Sequence, residues 1–495
     1  MSNKKYLYGA AVQGIQSFIF GTNKLREIVG ASELINEICD DAFNEFAAKG
    51  ESIVRAAGNI KHIFNENELR ECEIAVKGFP KKVMKLAPGI TISQAVVEFE
   101  NDFEKAVREL EAKLKTQRNK PCNSTTIGLI GIRRARNTGL PAVTKESNDY
   151  LDLATKKKRD IAFNANSKLC EKIFGNLKPI KDKITMHVEK IPSKNDWIAI
   201  IHADGNGLGL VVQQIGKNKD IFKEFSRNLN TATENAARKA YDSVNNKYEL
   251  EKLDFIPLRP VVLGGDDLTI ICRADIAIEF TQIFLAEFEN QTNKLLGDVL
   301  KKGNLSFDKL TACAGISFMK SSFPFYYGYE LAEDLCRKAK EDAKNNNRLP
   351  NGLAPSCLMY YKIQDSFTES FDELIKRELT TGDISFKFGP YYLDETKDRW
   401  TIDKLIGITK ELNSKEGNAL KSHYREWMSI LFENNQLAQQ KLNRMKTTFY
   451  GTDISSLIQE LENKKRDGLN HSPVYDVISL HTVINQEISD ITKTK

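Results

Sequence analysis

The chain contains the same order of predicted secondary structure twice, and this internal repeat limits its fold more than any other feature. In the second copy, short apolar runs predict strands, and apolar residues at helical spacing predict helices. The strands are predicted at 197–204, 259–263, 268–272 and 310–318, and the helices at 205–243, 274–296 and 329–345. This order predicts a ferredoxin-like βαββαβ fold with one extra helix after it.

The first copy shows the same order nearer the start of the chain. Strands are predicted at 5–13, 52–56, 60–64 and 89–99, and helices at 15–49, 66–87 and 101–115. We expect helix breaks near Gly21, Gly30 and Pro80, because glycine and proline weaken helix interiors. The predicted fold class is therefore α+β, with two ferredoxin-like domains.

The remaining segments suggest four regions in all. Residues 116–190 are basic and predicted to be an irregular linker, with the runs RRAR at 133–136 and KKKRD at 156–160. Beyond about residue 365 the chain is highly charged and predicted to be helical. We therefore expect a first domain over 1–115, the linker over 116–190, a second domain over 191–364 and a helical domain over 365–495.

Composition excludes several classes of protein. No apolar run approaches the ~20 residues that span a bilayer, and the start of the chain does not read as a signal peptide, so we expect a cytoplasmic protein without membrane contact. The eight cysteines contain no C-x-x-C pair, so a structural zinc site has no support. The net charge of +5 permits contact with nucleic acid without requiring it.

Three aspartates are predicted to meet in the second copy. In a βαββαβ fold the first and third strands are antiparallel neighbours, so the end of one lies beside the start of the other. Asp204 ends the first strand, while Asp266 and Asp267 precede the third. Adjacent carboxylates raise one another's pKa unless a cation neutralises them, and oxygen ligands favour Mg²⁺ or Mn²⁺. We predict a metal-dependent catalytic site formed by these three residues.

Small residues and one lysine extend this prediction to a nucleotide. Glycines at the turn allow close approach of a ligand, and a loop that opens a helix can present N–H groups to phosphate. The candidate nucleotide-binding residues are Gly205, Asn206, Gly207, Gly264, Gly265 and Lys340. Arg337 and Lys338 stand behind Lys340 as further cations.

Simpler interpretations compete with each of these assignments. The sequence GGDD alone is also typical of a solvated hairpin tip, and Lys340 is about as readily explained by an exposed helix face. His202 is better explained as a core histidine than as a metal ligand, and RRAR as a solvated loop. The first copy reads AAGN where the second reads GGDD, which favours one catalytic copy and one structural copy.

Five segments together resemble the large subunit of type III CRISPR effector complexes, the Cas10 family. They are AAVQGIQSFIFGTNKLREIVGASELI near the start, HADGNGLG, LGGDDLTIIC, TACAGISF and AEDLCRKAKE. The resemblance covers residues 5–365 in order and implies two palm (cyclase-like) domains. It also implies that Asp204 and Asp266 bind metal, with Asp267 beside them, and that ATP becomes a second-messenger nucleotide when the complex holds target RNA.

The resemblance implies further partners and two departures. The product would be cyclic oligoadenylate or a conjugate of ATP with S-adenosylmethionine, and the partners would be other effector subunits, guide RNA and target RNA. Members often carry a histidine–aspartate nuclease domain and zinc-binding cysteines between the palms. Here we expect neither, because no His-Asp pair occurs and the linker retains only Cys122.

Two other functions remain open at this point. The chain could be a non-catalytic scaffold subunit of the same kind of complex, with a vestigial site. It could also be a free-standing nucleotide cyclase, which the GGDD turn allows. The degenerate first copy and the C-terminal helices are harder to explain for a lone cyclase.

Overall fold

A computed structural model describes most of the chain. The described residues are 4–56, 58–120, 131–192, 196–216, 218–346, 348–364, 370–396, 398–452, 454–466 and 468–484. The predicted α+β class is confirmed, with two separate sheets at the two copies of the repeat and a largely helical C-terminal region. Cys122 lies outside the described residues.

The first copy forms a four-stranded antiparallel sheet with helices packed on it. Its elements are β1 (Lys5–Gln13), α1 (Ile15–Phe20), α2 (Leu25–Cys39), α3 (Asp41–Asn44), β2 (Glu51–Ala56), β3 (Asn59–Asn65), α4 (Leu69–Leu86), β4 (Thr91–Phe99) and α5 (Phe103–Arg118). The strand order is β2-β3-β1-β4, which is the order of a ferredoxin-like sheet. The predicted pairing of the first and third strands is therefore present, with Leu7 opposite Ile63.

Two of the three expected helix breaks are absent. The chain does turn at Gly21, between α1 and α2. By contrast, α2 runs through Gly30. A Cβ at this position would lie only 1.8 Å from the carbonyl oxygen of Lys158, so a larger residue does not fit there. This glycine permits close helix packing instead of ending a helix. Helix α4 likewise continues through Pro80.

The second copy forms the larger sheet. After the linker come β7 (Trp197–Gly205), α7 (Leu208–Ile215), α8 (Lys219–Tyr248), β8 (Leu258–Gly264), β9 (Asp267–Arg273), α9 (Ala274–Lys302), β10 (Ala312–Lys320), α10 (Phe325–Asn346) and β11 (Cys357–Lys362). The strand order is β14-β11-β10-β7-β9-β8, where β14 is the short strand Tyr391–Tyr392. The four predicted strands form the ferredoxin-like part, and β11 adds a parallel strand beside β10.

The linker is not irregular throughout, contrary to the sequence prediction. It contains the hairpin β5 (Ala142–Glu146) and β6 (Asp149–Asp152), followed by the 22-residue helix α6 (Leu153–Phe174). Helix α6 packs on α2 of the first copy and on α8 of the second. The sequence shows no apolar helical pattern here, because the buried positions of α6 include the basic residues Lys158 and Arg159.

The C-terminal region is mostly helical, as predicted, and also contains a small sheet. The helices are α11 (Phe371–Arg377), α12 (Ile402–Glu411), α13 (Lys415–Glu433), α14 (Asn435–Thr448), α15 (Ser455–Glu460) and α16 (Val474–Ile484). Four very short strands, β12 (Thr380–Thr381), β13 (Ile384–Ser385), β15 (Lys464–Arg466) and β16 (Leu469–His471), form the sheet β12-β13-β16-β15. Strands of two or three residues leave no alternation that a sequence pattern can reveal.

The two repeated domains contact each other directly beside the predicted site. The ring of Phe20 in α1 stacks on Tyr329 in α10 with centroids 3.9 Å apart. The hydroxyl of Ser32 in α2 donates to the carbonyl oxygen of Val261 in β8. These contacts place the first copy against α10 and β8, two elements of the second copy.

Among the described residues, none of the helices combines the length and apolar character that crossing a membrane requires.

Candidate active site

The three predicted aspartates meet where β7 ends beside the turn between β8 and β9. Strand β7 pairs with β9 in antiparallel register, with Ala203 opposite Leu268. One carboxylate oxygen from each of Asp204, Asp266 and Asp267 lies within 4.8 Å of the others. No second group of three possible metal-ligand side chains meets this spacing in the described part of the chain. The sequence prediction of their convergence thus agrees with the geometry.

Two glycines make this approach possible. A Cβ at Gly205 would lie 2.4 Å from Cδ1 of Leu208 and 3.0 Å from both Cβ and Oδ2 of Asp266. Any larger residue at the end of β7 would therefore push the aspartate turn away. Gly265 has a φ of +63°, a backbone conformation that favours glycine. Gly264 forms the last ladder pair, opposite Asp267.

The carboxylates are only partly compensated by positive charge. Burial, with added repulsion from Asp267 and Asp204, raises the pKa of Asp266 well above its ordinary value. Burial, followed by the charge of Asp204, raises the pKa of Asp267 to about 7, although Lys340 opposes the rise. The cluster therefore holds an excess of negative charge, which a divalent cation would relieve.

Lys340 is the cation that reaches this cluster. Its ammonium group forms an ion pair with Oδ2 of Asp204 and donates to the carbonyl oxygen of Gly205 at 2.9 Å. Burial alone would lower the pKa of Lys340, but the charge of Asp204, the hydrogen bond to it and the nearby Cys336 and Cys313 together outweigh burial, so the pKa is raised. Lys340 is thus a fully charged group at the edge of the site, beside the position predicted for phosphates.

The two other cations on α10 that the sequence analysis named are occupied elsewhere. Arg337 pairs with Asp334 at 2.7 Å and with Glu341 at 3.1 Å. Lys338 pairs with Asp372 at 2.8 Å. Of the three basic residues named from the sequence, only Lys340 contacts the aspartates.

In the loop before α7, Gly207 and Asn206 have different roles. Gly207 has a φ of +71° and is the N-cap residue directly before α7, and no side chain caps that helix among the described residues. The amide of Asn206 turns away from the loop, where it donates to Thr311 Oγ1 at 3.1 Å, and its side chain is buried. The backbone N–H of Asn206 also donates to the carbonyl oxygen of Thr311, at 2.8 Å, so Asn206 anchors the loop to the segment before β10. The expectation that the backbone N–H groups of this loop, Asn206 included, meet phosphate stays a prediction.

His202 is a core residue, as the simpler interpretation holds. Its Nδ1 lies 3.3 Å from Thr269 Oγ1, and burial lowers its pKa to about 4. A neutral histidine between two strands is packed rather than positioned for an ion.

Glu333 is a site residue that the sequence analysis missed. It lies on α10, and its charge contributes to the raised pKa of Asp267, while burial raises its own pKa. Gln16, from the first copy, donates to Glu333 Oε1 at 3.2 Å. Glu333 and Lys340 are seven positions apart and so share one helix face, which is the signal that could have identified Glu333.

Two cavities open beside Lys340. One, of about 700 Å³, is lined by Asp204, Glu333, Tyr361 and Gln364 among others. The second, of about 1470 Å³, is lined by the start of α7 and by Lys340, Lys344 and Arg348. The first volume is in the range of small-molecule and cofactor sites, about 300–1,000 Å³, and the second is larger. The carboxylates, the lysine and these spaces together can accommodate a metal ion with a phosphorylated ligand.

The donor set fits Mg²⁺ or Mn²⁺. All three side chains offer carboxylate oxygens, which these ions prefer to nitrogen or sulfur. Asp204 and Asp266 approach each other across Gly205, and Asp267 lies next to them, so one or two ions would have ligands from both strands.

The basic runs of the linker have mainly structural contacts. Arg159, in KKKRD, pairs with Glu27 at 2.6 Å, and both side chains are buried. Lys158 donates to the carbonyl oxygen of Phe18 at 2.5 Å. In RRAR, Arg133 stacks on the ring of Tyr150, at 4.6 Å from its centroid. Lys158 and Arg159 are therefore not available to a nucleic acid.

Comparison with known proteins agrees with this site. Residues 197–349 match the family described as Cas10/Cmr2, second palm domain. A search of curated proteins by similarity gives no match.

Solved structures share the fold at low sequence identity. The apo Csm1-Csm4 cassette is 14% identical, over 97% of this chain and 69% of that chain, with a TM-score of 0.50. The same cassette in complex with pppApA is 14% identical, over 98% and 69%, with a TM-score of 0.50. The complex with one ATP is 14% identical, over 98% and 70%, with a TM-score of 0.50.

The resemblance drawn from the motifs is confirmed by a match that spans all three aspartates and Lys340. The segment that carries the site belongs to the second palm domain of the Cas10/Cmr2 family, and the chain has the fold of Csm1.

Proposed function

We propose that the chain is the nucleotidyltransferase subunit of a type III CRISPR effector complex. It would use ATP and a divalent metal ion to make a second-messenger nucleotide, cyclic oligoadenylate or a conjugate of ATP with S-adenosylmethionine, when target RNA is bound. The observation that carries this proposal is the convergence of Asp204, Asp266 and Asp267 beside Lys340, which itself lines two cavities.

The residues suggest a division of labour. Asp204 and Asp266 would hold the ion, with Asp267 beside them. Lys340 would move away from Asp204 and balance the negative charge of the phosphates. Gly205, Gly207, Gly264 and Gly265 would let the nucleotide approach the backbone. When bound, the ion would supply charge neutralisation and an acidified hydroxyl.

The reaction is an in-line displacement for oligoadenylate synthesis. The 3′-hydroxyl of one nucleotide attacks the α-phosphate of ATP, a phosphodiester bond forms, pyrophosphate leaves, and the hydroxyl proton passes to solvent. The protein contributes position and electrostatic stabilisation. In this proposal residues 191–364 form the catalytic domain, and residues 1–115 form a palm domain without carboxylates at its AAGN turn.

The similar structures support the class of ligand and of partner. Csm1-Csm4 cassettes were solved with ATP and with pppApA, so a Csm4-like subunit is a reasonable partner for this chain. We extend the proposal to guide RNA and target RNA because the sequence motifs resemble the large subunit of RNA-guided type III complexes.

The proposal is tested by pyrophosphate release and product mass spectrometry. The assembled complex with ATP, Mg²⁺ and target RNA should release pyrophosphate, and Asp266→Asn/Asp267→Asn should abolish release. The matched control is Asp254→Asn/Asp298→Asn, which removes two exposed aspartates outside the site and should leave release unchanged. Equal release by the site variant would contradict the proposal. Parallel reactions with S-adenosylmethionine separate the two products.

A scaffold function is the second candidate, and one observation favours it. The ion pair between Lys340 and Asp204 already neutralises one carboxylate, as it would in a vestigial site. A scaffold should show no binding of ATP in the presence of Mn²⁺, whereas the enzymatic proposal requires it.

A further inference from the structure

Helix α8 contacts both backbone groups of a single residue in the aspartate turn. Oδ1 of Asn230 accepts a hydrogen bond from the N–H of Gly265 at 3.1 Å. The hydroxyl of Thr233, three positions later, donates to the carbonyl oxygen of Gly265 at 2.6 Å. Gly265 directly precedes Asp266 and Asp267, so the helix holds the backbone next to the two residues that carry the carboxylates.

The contact from Thr233 is directed at the turn. Its side chain is fully buried, so water does not compete for the hydroxyl. The hydroxyl also lies 3.0 Å from the carbonyl oxygen of Leu229 in its own helix. Because a hydroxyl has one proton, it donates to one of these oxygens at a time, and the contact to Gly265 is the shorter.

The orientation of Asn230 is fixed by its other partner. Its amide nitrogen donates to Oε1 of Glu234 at 2.8 Å. A carboxylate only accepts hydrogen bonds, so the NH₂ group must face Glu234 and the oxygen must face Gly265. Glu234 in turn pairs with Lys172 of α6 at 2.8 Å. The acceptor presented to the turn is thus set by an ion pair that joins α6 to α8.

The sheet does not constrain the centre of the turn. Ladder pairing ends with Gly264 opposite Asp267, so Gly265 and Asp266 lie outside it. A rotation of the peptide at Gly265, whose φ is +63°, would swing Asp266 relative to Asp204. No ladder hydrogen bond at Gly265 opposes that rotation, whereas the two hydrogen bonds from α8 to its N–H and carbonyl oxygen do.

We infer that Asn230 and Thr233 are positioning residues for the ion site: they fix the peptide of Gly265 and so set the distance between the carboxylates of Asp266 and Asp204. This inference rests on the proposed function, since it assumes that these carboxylates bind a divalent ion. Neither residue touches the ion or the nucleotide in this account.

Mn²⁺ affinity, measured by electron paramagnetic resonance of free Mn²⁺ with the purified full chain, tests the inference. Thr233→Val keeps the shape of the side chain and removes the hydroxyl, and Asn230→Ala removes the acceptor. Each should weaken Mn²⁺ binding about tenfold, as loss of groups that orient metal ligands does. Thr233→Ser keeps the hydroxyl and should restore affinity to within about twofold.

Thr231→Val is the matched control. Thr231 lies on the same helix, is exposed, and donates to its own helix at the carbonyl oxygen of Arg227, 3.1 Å away. Its hydroxyl makes the same kind of hydrogen bond within the helix as the hydroxyl of Thr233 and, among the described residues, none to the turn. Removal of this hydroxyl should therefore not alter Mn²⁺ affinity. Thermal unfolding of every variant shows whether the fold is kept, and Asn230→Ala, at a half-buried position, covers the case in which Thr233→Val does not fold.

The outcomes separate the inference from the proposed function. Failure of the unaltered chain to bind Mn²⁺ would contradict the proposed function, and the inference with it. Binding by the unaltered chain, with equal affinity in Asn230→Ala and in folded Thr233→Val, would overturn the inference alone. Weaker binding in both variants, with recovery in Thr233→Ser and no change in Thr231→Val, would support it.

Discussion

The ammonium group of Lys340 pairs with the carboxylate of Asp204, 136 positions earlier in the chain, and so brings α10 to the end of β7. Without a metal ion this lysine is the positive charge that reaches the three aspartates. Lys340 and an incoming ion therefore compete for Asp204, and the lysine becomes available to phosphates once the ion has replaced it.

Replacement of Lys340 should separate metal affinity from nucleotide affinity. Lys340→Met should tighten Mn²⁺ binding about threefold to tenfold, because a half-buried ion pair worth about 1 kcal/mol no longer competes. The same change should raise the KM for ATP. Isothermal titration with Mn²⁺ and steady-state kinetics measure the two effects.

Lys344→Met, one turn along α10 at an exposed position, is the control for Lys340→Met and should leave Mn²⁺ affinity unchanged. Weaker Mn²⁺ binding in Lys340→Met would show that the lysine organises the carboxylates rather than competing with the ion.

The close approach at Gly205 predicts a sharp difference between two glycines. Gly205→Ala would place a Cβ 2.4 Å from Leu208 Cδ1 and 3.0 Å from Asp266, so it should weaken Mn²⁺ binding and destabilise the fold by about 1–3 kcal/mol. Gly209→Ala meets nothing within 4 Å and lies in α7, so it should be neutral or stabilising by up to about 1 kcal/mol. Urea denaturation and Mn²⁺ titration check both, and equal behaviour of the two variants would contradict the account.

The repeat and the aspartate cluster could be predicted because both depend on local patterns. Apolar runs predict the strands, and the topology of a βαββαβ fold then places Asp204 beside Asp266 without further information. Lys340 was found for a similar reason, since it follows the fourth strand on the helix that returns to the site.

The errors arise where tertiary contacts override local preference. Gly30 reads as a helix breaker, yet it lies inside α2 because α6 packs against it. Arg159 reads as part of a basic, irregular linker, yet it lies in α6 and is buried against Glu27. Asn230 and Thr233 carry no pattern, because their roles depend only on the turn that packs against α8.

The buried ion pair between Arg159 and Glu27 should hold the linker helix to the first domain. Arg159→Met would leave Glu27, whose side chain is 3% exposed, without its cation, and should cost about 3–5 kcal/mol. Lys157→Met, two positions earlier at a residue that forms no ion pair within the described part of the chain, should change stability by less than about 0.5 kcal/mol. The urea concentration at the midpoint of unfolding is compared between the two variants. Similar midpoints would contradict a stabilising role for the buried ion pair of Arg159.

Asp476 should make stability fall as pH rises. Burial raises its pKa to about 7, despite hydrogen bonds from the Tyr391 hydroxyl at 2.6 Å and the Gly389 N–H at 3.3 Å. The folded chain therefore retains a proton between about pH 4 and 7 that the unfolded chain releases, so stability declines across this window and levels off above it.

Asp476→Asn removes this titration while keeping an acceptor for Tyr391. At pH 8 it should be more stable than the unaltered chain by up to about 4 kcal/mol, and the difference should vanish near pH 4. Urea denaturation at both pH values measures it. A difference that is constant with pH would contradict a raised pKa at this residue.

The central claim is that Asp204, Asp266 and Asp267 form an ion site, and anomalous X-ray diffraction tests it most directly. Crystals of the chain soaked with Mn²⁺ and a non-hydrolysable ATP analogue should show an anomalous peak within about 2.5 Å of carboxylate oxygens of Asp204 and Asp266, with the Lys340 ammonium moved from Asp204 to the phosphates. A map with no peak at these oxygens, and Lys340 still paired with Asp204, would contradict the account.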